Sequence, residues 1–355
     1  MHMCRQYKLI SSLSKYMVLI LAGQVRVVFA SAILNHQGGL SKKHSHVFAM
    51  ALLVLLAVFT SRPGICFAGT HTIMDAKGRK IHVEQPFSRI ISLYGAHTEN
   101  LFYLGLTSEI IGVSVNDRFP PQVDGKKKFS FHDDPEKFLA ARPDLVLIRP
   151  MIDNGYPDFV RQLERFNITV VSLQPSDVNE MFAYWVTLGQ LTGKTAAAEQ
   201  LVTDFQKKTR EIASLLPPVK ARKKVYFEAI HARMKTFTHG SMAIFALETA
   251  GGINVAADAP SSRNTNIANY SKEKILEKAQ EIDVFLAQKG IMNPVTVEQI
   301  VNEPGFHIIQ AVADDQVYLV DENIVSRPVP RLLQGILAIG DLLYPDIFAT
   351  IKKDL

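Results

Sequence analysis

The chain has 355 residues, 47% of them hydrophobic, and a formal net charge of +5. That charge does not mark a nucleic-acid or other anionic partner, because it is gathered at one end. Residues 1–68 hold seven Lys and Arg and no Asp or Glu, so the remainder carries 32 basic against 34 acidic side chains, a net of −2.

The N-terminus reads as an export signal. Lys42 and Lys43 give it a positive start, Val47 to Phe59 is an unbroken apolar run of 13 residues, and Cys66-Phe67-Ala68 is a small-x-small pattern ahead of Gly69. The run is too short to cross a bilayer comfortably as a helix, which takes about 20 residues. Cleavage near Ala68 is expected, with the mature protein in the periplasm. An uncleaved anchor is one alternative. Lipidation of Cys66, giving a cell-surface lipoprotein, is another, although Ile65 stands where a small residue normally precedes a lipidated cysteine. Further upstream, the apolar patch Met17 to Leu34 is broken by Gln24 and Arg26, and a start codon assigned too early would account for it. Both cysteines, Cys4 and Cys66, fall in this leader. The mature chain is therefore expected to fold without disulfides, on a large hydrophobic core.

After a strand pair within Thr70 to Val83, Arg89 to Leu93 is a compact apolar strand. Tyr94-Gly95-Ala96 turns it into a helix, Thr98 to Leu104, with Thr98 as N-cap and Gly105 as its stop. Ile110 to Val115 is the next strand and ends in the polar Asn116-Asp117. Leu145 to Ile148, with the exit loop Arg149-Pro150-Met151, and Ile168 to Leu173 are strands flanking a helix, Phe159 to Phe166. Strands alternating with helices through short loops predict an α/β fold with a parallel sheet. From Glu180 to Leu216 the spacing becomes helical. The part after Lys194 has no Gly or Pro before Pro217-Pro218, and reads as one stiff helix about 30 Å long at 1.5 Å per residue. Lys224 to Ala229 restarts the strand pattern, Ala243 to Ala250 is a helix closed by Gly251-Gly252, Gln316 to Val320 is a late strand and Arg331 to Leu343 a last helix. The expected division is a leader (1–68), an N-terminal α/β lobe (69–193), a linking helix (194–216) and a C-terminal α/β lobe (217–355).

Two segments share one plan. Asp134-Pro135-Glu136-Lys137-Phe138-Leu139 runs into Pro143-Asp144-Leu145-Val146-Leu147-Ile148, and Ser271-Lys272-Glu273-Lys274-Ile275-Leu276 runs into Ile282-Asp283-Val284-Phe285-Leu286. Each reads as a short amphipathic helix opened by a glutamate, then a turn, then a buried strand. The spacing from glutamate to aspartate differs by two residues, so the plan is related rather than repeated. A unit built twice predicts two similar lobes with a cleft between them.

Together these landmarks resemble the substrate-binding proteins of ABC importers for cobalamin, ferric siderophores and haem. The matching pieces are Arg89-Ile90-Ile91-Ser92-Leu93, Ile111-Gly112-Val113-Ser114, Glu136 with Pro143-Asp144-Leu145-Val146, Ala250-Gly251-Gly252-Ile253-Asn254-Val255-Ala256, Tyr270-Ser271-Lys272-Glu273 and Arg327-Pro328-Val329-Pro330-Arg331. They occur in the family's order across the mature chain. The resemblance implies two α/β lobes bridged by a single long stiff helix, with a metal chelate carried in the cleft and no resident cofactor. It implies an ABC permease and its ATPase as partners, and a receptor that is monomeric when free. It also implies that Glu136 and Glu273, one per lobe, dock onto permease arginines through charge-assisted pairs. The plainer role for a glutamate in a first helical turn is to stabilise the helix dipole.

In α/β lobes ligands gather at the carboxyl ends of strands. That rule places Tyr94, His97, Asn116, Phe131, Arg149 and Met151 on the cleft from the first lobe, and Glu228, Arg233, Arg263 and Arg327 from the second. Tyr94 and His97 carry groups that ligate iron, with packing for Tyr94 and a local hydrogen bond for His97 as the ordinary alternatives. Arg149 would aim a guanidinium at a carboxylate, catecholate or phosphate. If Arg233, Arg263 and Arg327 converge with it, an anionic ferric chelate or haem is favoured over neutral cobalamin. The sequence has no glycine-rich phosphate loop or nucleophile elbow, and after the leader no two histidines at close, zinc-like spacing, which argues against an enzyme and against a bare zinc site. A chelate-modifying enzyme or a sensory protein on the same fold are the other function classes.

Overall fold

The computed structural model describes residues 71–260 and 265–354; the leader and Arg263 lie outside them. An antiparallel hairpin, β1 (His71–Met74) and β2 (Lys80–Val83), opens the described chain. The first sheet is fully parallel, in the order β5-β4-β3-β6-β7, from β3 (Ile90–Ser92), β4 (Ile110–Ser114), β5 (Lys127–Phe129), β6 (Leu145–Ile148) and β7 (Thr169–Ser172). Its crossovers carry α1 (Gly95–Tyr103), α2 (Pro135–Ala141), α3 (Pro150–Gly155) and α4 (Pro157–Arg165). Strand β6 shows why the sequence reads as an apolar run: Leu145 and Leu147 enter one core, Val146 and Ile148 another, so both faces are covered.

One helix start differs from expectation. α1 begins at Gly95 with Tyr94 at the N-cap position, not at Thr98. Thr98 is buried, its hydroxyl donates to Asp117 Oδ2 at 2.5 Å, and it lies 2.7 Å from Ser92 Oγ. A tertiary partner, not a cap, accounts for that threonine.

The chain then leaves the first sheet through two antiparallel-packed helices. α5 (Val178–Thr192) is closed by Gly193 in the left-handed region (φ 70°), which turns the backbone into α6 (Thr195–Leu215, 21 residues). The second sheet holds β8 (Lys224–Ile230), β9 (Lys235–Phe237), β10 (Ile253–Asn254), β11 (Ile267–Asn269), β12 (Val284–Lys289) and β13 (Val317–Asp321). Its order is β11-β9-β8-β12-β13, with β10 also paired to β8. Unlike the first sheet it is mixed, because β8 doubles back through Met234, held at φ 46°, into antiparallel β9. Around it lie α7 (Met242–Thr249), α8 (Lys272–Glu277), α9 (Val297–Val301), α10 (Gln310–Ala313), α11 (Glu322–Val325), α12 (Leu332–Leu343) and α13 (Pro345–Asp354). No described helix is long and apolar enough to cross a membrane.

A single apolar core joins the two sheets. It runs from Leu145 and Leu147 through Trp185, Phe205 and Ile212 of α5 and α6 to Phe227, Leu286 and Ile339. Edge-to-face rings at Trp185 and Phe205, 5.4 Å apart, sit within it. Polar contacts close the same seam. Glu99 of α1 is fully buried and takes two hydrogen bonds from Arg331, at 2.6 and 2.7 Å. The Pro328 carbonyl accepts from Asn100 Nδ2 (3.0 Å) and Trp185 Nε1 (3.1 Å). The Arg331 guanidinium lies 3.7 Å from the Phe119 ring centroid.

The two segments that share a plan fold alike. Glu136 and Glu273 are each the second residue of their helices, α2 and α8. Asp144 accepts from the Arg89 amide at 2.9 Å, and Asp283 from the Lys224 amide at 2.7 Å. Each aspartate thus fastens its own strand (β6 or β12) to the start of the neighbouring one (β3 or β8). The two extra residues of the second unit are taken up by a 3-10 turn, Ala279–Glu281.

Candidate functional site

Between the sheets, off their C-terminal edges, lies an open cavity of about 730 Å3. Tyr94, Arg149, Met151, Asn154, Gln174 and Ser176 come to its wall from the first sheet's loops. Opposite them stand Ile230, Phe237, Ser241, Met242, Asn266, Gln288, Met292 and Ser326. Among the described residues of the wall, Arg149 is the one charged side chain.

Arg149 is placed by its neighbours. It follows β6 in extended backbone, and Pro150 starts α3 directly after it. Its guanidinium carbon sits 5.0 Å from the Tyr94 ring centroid. Beneath Tyr94, ring to ring at 5.1 Å, lies His97, fully buried. The carbonyl of Ile148 can only accept, so His97 Nε2–H donates to it at 2.9 Å. His97 Nδ1 therefore accepts from the Tyr184 hydroxyl at 2.6 Å. Burial pushes the His97 pKa down to about 4; the Ile148 bond opposes this and the Arg149 charge adds to it. His97 is thus a neutral clamp on the last residue of β6, one peptide before Arg149. It does not reach the cavity. Tyr94 does, and keeps its phenol proton at neutral pH: burial raises its pKa, against the lowering effect of Arg149 and Arg327.

Other predicted residues lie elsewhere. Asn116 is exposed after β4 and off the wall. Phe131 packs on His132 and Tyr156, at 4.3 and 4.7 Å between ring centroids. Glu228 is buried, accepting from His231 Nδ1 at 2.9 Å. Burial raises the Glu228 pKa, and the hydrogen bond that His231 donates to Glu228 is the main cause that raises the His231 pKa. Arg233 is exposed in the turn after β8. Arg327 lies against α1, so close to Gly95 that a β-carbon there would come 2.8 Å from its Nη1. Of the described arginines among the candidates, Arg149 alone lines the cavity, and Arg263 lies outside the described residues.

Several wall residues were not expected from sequence. Gln288 is the clearest. Its amide donates to the Ala229 carbonyl at 2.9 Å, and its oxygen accepts from Ser326 Oγ at 2.6 Å. It is the last residue but one of a parallel strand, β12, so the strand-end rule applied there would have found it. Ser241 and Asn266 reach the wall from α7 and from the approach to β11, positions set by the mixed pairing of the second sheet. No group of three or more His, Cys, Asp or Glu suited to a metal occurs among the described residues.

The family described as "Periplasmic binding protein" matches residues 90–324. A Bacillus subtilis protein described as an uncharacterized ABC transporter substrate-binding lipoprotein, YvrC, is 26% identical over 78% of this chain and 86% of its own length. The vitamin B12-binding protein of Vibrio cholerae is 22% identical, over 71% of this chain and 87% of its own. Among solved structures, a possible iron-binding periplasmic solute-binding protein of Staphylococcus epidermidis superposes with a TM-score of 0.64 at 27% identity. That superposition spans 73% of this chain and all of the other. The chain belongs to the periplasmic binding protein family, the substrate-binding proteins of ABC importers.

Proposed function

We propose that this chain works outside the cytoplasmic membrane as a receptor for a bulky metal chelate of low net charge, a corrinoid such as cobalamin, and hands it to an ABC permease. The observation that carries this reading is the cleft wall: one guanidinium, no carboxylate among its described residues, and many amides, hydroxyls and methionines. A corrinoid presents primary amides, methyl groups and one phosphodiester. Asn154, Gln174 and Asn266 suit the amides, Met151, Met242 and Met292 the methyls, and Arg149 the single anion. A ferric tricatecholate or a haem, with several negative charges, would call for several converging cations. Vitamin B12 binding by the Vibrio cholerae relative supports the same reading. Residues 1–68 are read as the export leader. Glu136 and Glu273, both exposed at helix starts, are read as the carboxylates that meet permease arginines.

Calorimetric titration with cyanocobalamin, haem and a ferric tricatecholate tests the ligand class. Cyanocobalamin is expected to bind with micromolar or tighter affinity, near −8 kcal/mol or better. Saturable binding of the tricatecholate without the corrinoid would overturn it.

A further inference from the structure

We propose that the loop Lys289–Asn293 is a docking tip whose Ile291 enters an apolar recess on the outer face of the permease. This rests on the reading of the chain as an importer's receptor. Ile291 is 92% exposed, more than any other large hydrophobic side chain described. A lone exposed apolar residue on a loose loop is ordinary. This one is held out by a built base. Gly290 presses so closely on Glu322 that a β-carbon would collide with its carboxylate, and its amide donates to the Asn293 carbonyl at 3.2 Å. The Met292 amide donates to Glu322 Oε2 at 3.1 Å. Asn293, almost fully buried, accepts from the His231 amide at 2.9 Å and donates to the Gln288 carbonyl at 2.8 Å.

The tip stands where a partner covering the cleft would arrive. β9 is antiparallel to both β8 and β11, and β12 is parallel to β8. The loop after β12 and the helix α8 after β11 therefore leave the same edge of the sheet, and that edge borders the cleft. Ile291 thus shares its edge with Glu273. The bound chelate is not the occupant, because the cavity wall includes Met292 and excludes Ile291. A second copy of the chain is not supported either: one side chain contributes little toward the roughly 1,200 Å2 that a stable interface buries. An apolar anchor on the same edge as an exposed carboxylate suits a larger, multi-point docking, in which a few contacts carry most of the affinity.

The test uses the full mature receptor, loaded with cyanocobalamin, and its cognate permease–ATPase in nanodiscs. Docking affinity and stimulated ATP hydrolysis are measured for wild type, Ile291→Asp, Ile291→Leu and the double variant Glu136→Ala/Glu273→Ala. Ile291→Asp is expected to weaken docking about tenfold or more, with Ile291→Leu close to wild type. Cyanocobalamin affinity should not change in either. Wild-type docking by Ile291→Asp, in an assay where the double glutamate variant fails, would overturn the tip and leave the receptor reading intact. Loss of cyanocobalamin affinity in Ile291→Asp would overturn it too, by making Ile291 a ligand contact. If wild type itself does not dock, the receptor reading fails and takes the tip with it.

Discussion

Two regions join the same pair of sheets, and they use opposite chemistry. At the seam, α1 and α5 meet residues 327–331 through a buried carboxylate and a guanidinium, two hydrogen bonds to one proline carbonyl, and a continuous apolar core. At the cleft, a few residues away from α1, the described residues of the facing walls hold one arginine among amides, hydroxyls and methionines, and the cavity is open. The seam satisfies its charges internally, so it fixes how the sheets face each other. At the cleft, Ser176, Gln288 and Ser326 are engaged with protein partners, while Arg149, Asn154, Gln174 and Asn266 stand on the wall of the open cavity. The 21-residue α6 lies along the seam, with Phe205 and Ile212 in the core that joins the sheets.

Removing one side of the seam should have the largest effect. Glu99→Ala leaves the Arg331 guanidinium largely buried without its partner, and should destabilise the fold by about 3–5 kcal/mol in urea unfolding. A loss under about 1 kcal/mol would show that the seam is not held by this pair. Next comes the clamp beneath the cleft. His97 has a lower pKa folded, about 4, than unfolded, near 6.5, so between those values the unfolded chain binds more protons. Stability from this residue is complete above about pH 6.5 and is lost as pH falls toward 4, on the order of 3 kcal/mol in all. Thermal unfolding followed from pH 7 to pH 4 reads this directly, and a His97→Gln variant should flatten the slope. The smallest effect belongs to the cleft itself. Arg149→Ala should weaken cyanocobalamin about tenfold, at unchanged melting temperature. A large fall in melting temperature would instead place Arg149 with the seam.

Much of the frame was legible in sequence because it is local. The apolar runs of β6 and β12, the glutamates opening α2 and α8, and the aspartates ahead of each strand all declare themselves within about a dozen residues. The cleft was legible where parallel strands end: Tyr94, Arg149 and Met151 follow β3 and β6 and do line it. His97 looked like a candidate ligand because sequence shows residue type but not depth, and one helical turn carries it beneath Tyr94. The place of Arg327 was hidden for the same reason. Arg327 sits beside Arg331 in a motif, yet it faces α1 rather than the cavity. Ser241 and Asn266 were out of reach, since their place depends on β8 turning back into β9, a pairing no local pattern announces.

The most direct test of the contrast is amide hydrogen exchange with and without cyanocobalamin. Protection is predicted at residues 149–154, 174–176 and 288–292, with exchange at 96–101 and 327–333 unchanged. Protection that falls on the seam, or none at the cleft walls under saturating cyanocobalamin, would contradict this account.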